Sequence, residues 1–306
     1  MSRNFSSHQR GADSRRRNAL PADATDSKRL ASWLATTTSA IERSLRQTLP
    51  ADRSALAQAM RHATLSGGKR IRPLLCLATA AIGGGDRRAR SAAVAVELIH
   101  CYSLVHDDLP ALDNDLLRRG RPSTHVKYGE AIAIVAGDAL QALAFEIIGK
   151  SNIPGATEML ARAAGASGMC KGQAIDLQAE ARSERALRRM HGYKTGALFE
   201  AAIMIGAAAA AIPPAGRKKL QDFAAAFGLM YQIGDDIADA TATAAATGKN
   251  TGRDRKLGKA TYATILGLPA AAQRHRKAAA AAAAALAAVP GNTGLLAGIC
   301  ARGVRA

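Results

Sequence analysis

The sequence predicts an all-α fold, a single large helical bundle, on two observations. Alanine and leucine dominate the composition while tyrosine and phenylalanine number five each and tryptophan only one. Alanine loses no side-chain entropy in a helix, so this bias favours helix over strand. The second observation is order along the chain: apolar runs of helical length follow one another, with no strand–helix alternation and no repeat of solenoid period. At 306 residues and 48% hydrophobic content, the chain is long enough for a sizeable core.

Residues 1–26 read as a disordered basic tail, rich in Ser, Arg, Asn and Gly, with RRRN at Arg15 to Asn18 and little periodic apolar content. Asp13, Asp23 and Asp26 argue against an organelle-targeting peptide, and no hydrophobic signal core follows. One folded unit is expected over residues 27–306. Its helices are placed at Ser27 to Leu49, Ser54 to Leu65, Arg72 to Ile82, Arg87 to His106, Gly129 to Ile148 and Thr157 to Met169, with further ones to the C-terminus. Glycine and proline punctuate them at Pro50, Gly67-Gly68, Gly83 to Gly85, Gly120, Pro154-Gly155, Pro213-Pro214 and Pro290-Gly291. In such a bundle of roughly ten or more helices, polar sites are built from side chains facing the interior.

Charge and cysteine usage narrow the function. A net charge of +18 raises nucleic acid as a partner. The excess sits at the chain ends, however: residues 249–306 hold ten Lys or Arg against one acid, Asp254. No aromatics are interleaved to stack bases, so nucleic acid is not expected. Cys76, Cys101, Cys170 and Cys300 show neither zinc-ligand nor disulfide spacing, which fits a reducing cytoplasm. There is no run of about 18 uninterrupted apolar residues, and the alanine run Ala278 to Ala285 is too short to span a bilayer. A soluble protein without a transmembrane segment is expected.

Chemistry is concentrated in two acidic clusters set in apolar, alanine-rich stretches: DDLPALD at Asp107 to Asp113 and DDIAD at Asp235 to Asp239. Buried carboxylates need a compensating cation. With only hard oxygen donors on offer, Mg²⁺ fits better than zinc, and Mg²⁺ takes substrate phosphates as further ligands. Asp235 and Asp239 stand four apart and share a helix face; Asp107 and Asp113 stand six apart, so a bend at Pro110 is expected to align them. Basic segments accompany the acids. GGKRIRP, Gly67 to Pro73, sets Lys69, Arg70 and Arg72 after a glycine pair, and LLRRGRPSTH puts Arg118 and Arg119 behind the first cluster. Arginine grips phosphate oxygens bidentately. His100 precedes Asp107 by two helical turns and shares roughly its face.

Taken together, these residues resemble the short-chain trans-prenyl diphosphate synthases, the farnesyl and geranylgeranyl diphosphate synthase family, and specifically the bacterial farnesyl type. The likeness runs from about Leu30 to Pro290. The family's first motif, DDxxxxD, corresponds to Asp107, Asp108 and Asp113; the second, DDxxD, to Asp235, Asp236 and Asp239; GGKRxRP stands ahead of both. The resemblance implies the isoprenoid synthase fold, an all-α bundle around a deep central cavity, in a homodimer. It also implies about three Mg²⁺ ions per site, held most directly by Asp107, Asp113, Asp235 and Asp239, with all six aspartates catalytic. Isopentenyl diphosphate would be bound by Lys69, Arg72, His100 and Arg119, and the allylic diphosphate by Arg118, Lys194, Thr195, Gln232, Lys249 and Lys259. Gln173 and Asp176, in GQAIDL, would line the cavity or brace the second metal bank.

The implied reaction condenses isopentenyl diphosphate with dimethylallyl or geranyl diphosphate. Tyr102 and Ser103 occupy the family's chain-length positions. An aromatic five residues before the first motif forms a tunnel floor there, which implies farnesyl diphosphate as product, with geranylgeranyl diphosphate the alternative. A class I terpene cyclase would need no isopentenyl site, and a non-catalytic synthase subunit would be expected to lack one motif. Departures from the family pattern are Asn114 and Leu116 in place of acids, Lys171 in place of glycine, and the terminal LLAGICARGVRA in place of a charged helix.

Overall fold

A computed structural model describes residues 24–179, 181–241 and 260–303. Its helices follow the order of the predicted ones. α1 spans Ala24–Thr48, α2 Ala55–Leu65, α3 Ile71–Ala80 and α4 Asp86–Asp107. A two-stranded hairpin, β1 Leu117–Arg118 paired antiparallel with β2 Arg121–Pro122, precedes the short α5, Thr124–Tyr128. Then come α6 Glu130–Gly149, α7 Ala156–Ala164, α8 Met169–Leu177 and α9 Glu184–His191. The chain closes with α10 Ala197–Ala209, α11 Pro214–Thr241, α12 Tyr262–Leu266, α13 Leu268–Ala287 and α14 Gly294–Gly303.

Local chemistry explains the boundaries. Ser54 caps α2 by accepting from the Ala57 amide at 3.1 Å, and Thr261 caps α12 through a reciprocal capping box with Thr264. The predicted single helix from Thr157 to Met169 is two: Gly165, in extended backbone, ends α7, and Gly168, outside helical geometry, precedes α8. The expected start at Ser27 moves to Ala24; the remaining 1–23 of the predicted tail lies outside the described residues. The hairpin at 117–122 was not expected from the sequence, because its strands are two residues long.

Packing follows residue size. α4 lies along α6, α11 along α13, and α10 contacts both α3 and α11. On α4, Ala89, Ala92, Ala93 and Ala95 are wholly buried, and such small side chains let neighbouring helices approach closely. The few large aromatics are pooled: Phe199 of α10 meets Phe227 and Tyr231 of α11 edge-on, with centroids 5.2 and 5.0 Å away. Offset and edge-on pairs add about 0.5–1.5 kcal/mol beyond the area they bury. Among the described residues one helix, α6, is long and apolar enough to cross a membrane by length and composition. It carries Asp138 and Glu146 and is packed against α2 and α4 as a bundle helix. The unusual C-terminal stretch has a packing role: α14 buries Leu296, Ala297, Ile299 and Cys300, with Cys300 Sγ 3.8 Å from Met230 Sδ of α11.

Candidate active site

The bundle encloses a cavity of about 1490 Å³ whose lining brings together most of the polar residues singled out in the sequence. One wall is the end of α4 and the loop behind it. The sequence reading ended this helix at His106; α4 ends at Asp107, and the chain beyond it folds back on itself. The Asp113 amide donates to the Asp107 carbonyl at 2.9 Å and the Asp115 amide to the Asp108 carbonyl at 3.0 Å. Asn114 completes the turn with φ 49°, a left-handed conformation that asparagine tolerates better than most residues. The reversal, rather than a kinked helix at Pro110, is what brings Asp113 next to Asp107.

Asp107 is held in a costly state. Burial, opposed by Lys194 and Arg118 but reinforced by Asp113 and Asp108, pushes its carboxyl up to about 6. A divalent cation would relieve that cost, so the donor set fits Mg²⁺. Among the described residues no three His, Cys, Asp or Glu side chains close into a metal-holding cluster. Mg²⁺ bound through one or two carboxylates, waters and substrate phosphates does not require such a cluster. Asp108 has another occupation. It is buried and receives Arg118 Nε at 3.0 and 3.2 Å on its two oxygens, while Arg118 Nη2 also reaches Asp115 at 2.9 Å. This fork fixes Arg118 beside the Asp107 wall.

The facing wall is α11, where Asp235 and Asp239 line the cavity as the four-residue spacing requires. Asp236, buried, accepts from Gln232 Nε2 at 2.8 Å and from the Tyr262 amide at 2.7 Å. Thr195 Oγ1 donates to Gln232 Oε1 at 2.9 Å, so a polar chain runs from Thr195 to α12 and holds α11 in register. Lys194 and Thr195 lie in a π-helical turn, Gly192–Gly196, between α9 and α10. Such turns widen a helix and expose groups at functional sites. Lys194 Nζ pairs with Asp176 at 2.6 Å, and both Asp176 and Gln173 line the cavity. Gly172 makes this possible: a Cβ there would lie 2.1 Å from the Lys194 amide nitrogen.

A cationic collar joins the two walls. Burial, then the charges of Arg72, Arg119, Arg70 and Arg118, hold His100 well below the usual imidazole range, so it is neutral and surrounded by arginines. Arg72 lies 4.4 Å over the Phe199 ring, with its buried Nε lacking a hydrogen-bond partner. Lys69 is exposed in the cavity lining. Arg119 donates from Nη1 to the Gly67 carbonyl, and a Cβ on Gly68 would meet its guanidinium at 2.7 Å. Gly68 has φ +134°, so the glycine pair makes room for Arg119 as well as shaping the turn.

Tyr102 is buried in the same lining, edge-on to His106 at 5.8 Å, with Cys170 and Gln141 near its hydroxyl. Ser103 lines the cavity too and donates to the His100 carbonyl at 2.9 Å. Lys249 and Lys259 lie outside the described residues. The sequence reading assigned no role to Glu97, Cys170, His191 or Tyr231 and grouped Arg70 with the phosphate-gripping residues of GGKRIRP; all five line the cavity. Glu97 was detectable as a lone acid in AAVAVELIH, an otherwise apolar helical run.

An all-helical cavity with acids on two walls and arginines between them belongs to the class of sites that hold polyanions through both cationic side chains and a divalent metal. The chain belongs to the polyprenyl synthetase family, whose model matches residues 53–288. It is 46% identical over 242 residues to farnesyl diphosphate synthase of Escherichia coli, covering 74% of this chain and 80% of that protein. To geranylgeranyl pyrophosphate synthase 4 of Arabidopsis thaliana it is 42% identical over 222 residues, 69% of this chain and 60% of that one. Among solved structures, an FPP/GFPP synthase of Zymomonas mobilis matches with TM-score 0.79 at 35% identity, over 90% of this chain and 99% of the other. A geranyltransferase of Helicobacter pylori, complexed with magnesium and isoprenyl diphosphate, matches with TM-score 0.79 at 30% identity, over 90% and 96%.

Proposed function

We propose that the chain is an Mg²⁺-dependent prenyltransferase that condenses isopentenyl diphosphate with dimethylallyl and then geranyl diphosphate, giving farnesyl diphosphate. The observation that carries this reading is a single cavity lined by Asp107 and Asp113 on one wall, by Asp235 and Asp239 on the other, and by a separate arginine collar at GGKRIRP. One diphosphate belongs between the acid banks and a second at the collar. A terpene cyclase has no use for the second.

Mg²⁺, about three ions per site, supplies Lewis-acid stabilisation of the charge that grows on the leaving pyrophosphate. The chain's own residues do the rest. Lys194, held by Asp176, and Arg118, held by Asp108 and Asp115, present fixed positive charge to the allylic diphosphate. Thr195 and Gln232 steady that wall. Lys69, Arg72, Arg119 and His100 hold isopentenyl diphosphate with its double bond toward the allylic carbon, a positioning effect of several kcal/mol (about 7–11 in well-oriented cases). Ionisation breaks the allylic C–O bond, the isopentenyl double bond attacks the cation, and the released pyrophosphate takes the proton that restores the alkene. The apolar part of the lining, including Leu104, Leu112 and Met169, keeps water from the cation.

Tyr102, with Ser103 beside it, closes the tunnel at fifteen carbons. Farnesyl diphosphate synthase of Escherichia coli, 46% identical to this chain against 42% for geranylgeranyl pyrophosphate synthase 4 of Arabidopsis thaliana, supports that product. Tyr102→Ala should move the main product toward geranylgeranyl diphosphate; an unchanged distribution of alcohols after dephosphorylation would remove the floor role. A cytoplasmic location is supported by the four free thiols, which suit a reducing compartment. Homodimerisation is supported by Ile134 and Val135, large apolar side chains left 45% and 48% exposed on α6. Chromatography of the products formed from isopentenyl and dimethylallyl diphosphates tests the assignment, and a dominant twenty-carbon alcohol would overturn it.

A further inference from the structure

Arg70 stands between two residues of the collar, Lys69 and Arg72, yet it does not offer its charge to the cavity. It is 2% exposed, and each of its three guanidinium nitrogens is engaged. Nε donates to Glu42 Oε1 of α1 at 2.7 Å, Nη1 to Glu97 Oε1 of α4 at 2.6 Å, and Nη2 to the Thr64 carbonyl near the end of α2 at 2.6 Å. One side chain thus ties three helices to the residue that starts α3. Its backbone is strained: φ 48° and ψ 33° put a non-glycine residue in the left-handed region. Such a conformation persists only where the surroundings over-determine it.

The geometry points to Arg70 as a positioning residue for the isopentenyl diphosphate subsite, an inference that rests on the function proposed above. Lys69, Arg70 and Arg72 all border the cavity across this left-handed residue, but only Arg70 has its guanidinium nitrogens taken up by Glu42, Glu97 and the Thr64 carbonyl. Its partner Glu97 sits three residues before His100 on α4, so the same ion pair fixes the distance between the basic turn and the part of the helix that carries His100. Glu97 is itself 1% exposed, and it would be an uncompensated buried acid without Arg70. The allylic side of the cavity is held by a different set, Lys194–Asp176 and Gln232–Asp236, which Arg70 does not touch. Loosening Arg70 should therefore damage the two substrate sites unequally.

The test is steady-state kinetics of Arg70→Lys with both substrates varied. Lysine keeps the charge but cannot reproduce the planar three-way fork. The expected result is a rise of about ten- to a hundredfold in KM for isopentenyl diphosphate, the scale of one charged hydrogen bond lost to the substrate. KM for geranyl diphosphate and kcat should stay within about threefold of the parent. Should Arg70→Lys fold poorly, the pair Arg70→Met with Glu97→Leu replaces the buried ions by apolar groups of similar volume, an exchange that commonly preserves folding. A folded double variant should still show the raised KM for isopentenyl diphosphate alone. Parallel rises in both KM values, or no rise in a folded variant, would overturn the positioning role while leaving the parent activity intact. A parent enzyme that neither binds isopentenyl diphosphate in calorimetry nor turns it over would overturn the proposed function and this inference together.

Discussion

Asp107→Ala is expected to lower turnover by about a thousandfold, the scale of losing a preorganised electrostatic contact at a leaving group, without lowering the stability of the metal-free protein. The two effects have opposite signs for one physical reason. Burial and the neighbouring Asp113 and Asp108 raise the Asp107 carboxyl from 3.8 to about 6, against the opposing charges of Lys194 and Arg118. A carboxyl raised in the folded state favours folding below its unfolded value, and that contribution is lost as pH rises through about 6. At neutral pH the metal-free protein therefore carries a burden of order 2–3 kcal/mol at this position, which alanine removes. Thermal melting without metal should show Asp107→Ala at or above the parent, and turnover should be nearly gone. Asp235→Ala should lose activity to a similar degree through the facing wall. Retained turnover in either variant, with the helical circular-dichroism signal unchanged, would contradict the acid banks as the metal-binding groups.

Gly172→Ala should damage both stability and activity. A Cβ at this position would stand 2.1 Å from the Lys194 amide nitrogen and 2.5 Å from its Cα, and backbone cannot swing aside as a long side chain does. α8 and the π-helical turn must separate. Overpacking of this kind costs about 1–3 kcal/mol, or a melting temperature lower by roughly 2–10 °C for a chain of this size. The same shift carries Lys194 away from Asp176 and from the Asp107 wall, so kcat/KM for the allylic substrate should fall by about a hundredfold. Gly149→Ala is the matched control, since a Cβ there meets nothing within 4 Å. It should leave both quantities near the parent values. Equal effects from the two substitutions would show that the close approach to Lys194 does not account for the loss, since alanine at a helical glycine otherwise favours the helix.

Much of this was legible in the chain. Periodic apolar runs with Ser54, Pro213 and Pro290 as punctuation gave the helix order, because capping and proline chemistry act over a few residues. The two acidic clusters were equally plain, since carboxylates in alanine-rich surroundings stand out energetically. What stayed hidden depends on contacts across the sequence. Nothing within DDLPALD says that the Asp113 amide turns back to the Asp107 carbonyl, or that Asp108 is committed to Arg118. Nor does KTG announce a π-helical turn whose lysine needs Gly172 on another helix. Arg70 was hidden by its neighbours: three basic residues in GGKRIRP look alike, and only Glu42, Thr64 and Glu97 separate the middle one from Lys69 and Arg72. The departures Asn114 and the apolar C-terminus also acquire causes, as a left-handed turn residue and as a packing helix against α11.

The central claim is that the acid banks and the arginine collar serve one condensation of two diphosphates. The most direct measurement is incubation of the purified protein with isopentenyl and dimethylallyl diphosphates and Mg²⁺, followed by dephosphorylation and chromatography of the alcohols. Farnesol as the dominant product is the predicted result; a chain that forms no prenyl alcohol longer than its allylic substrate would contradict the account.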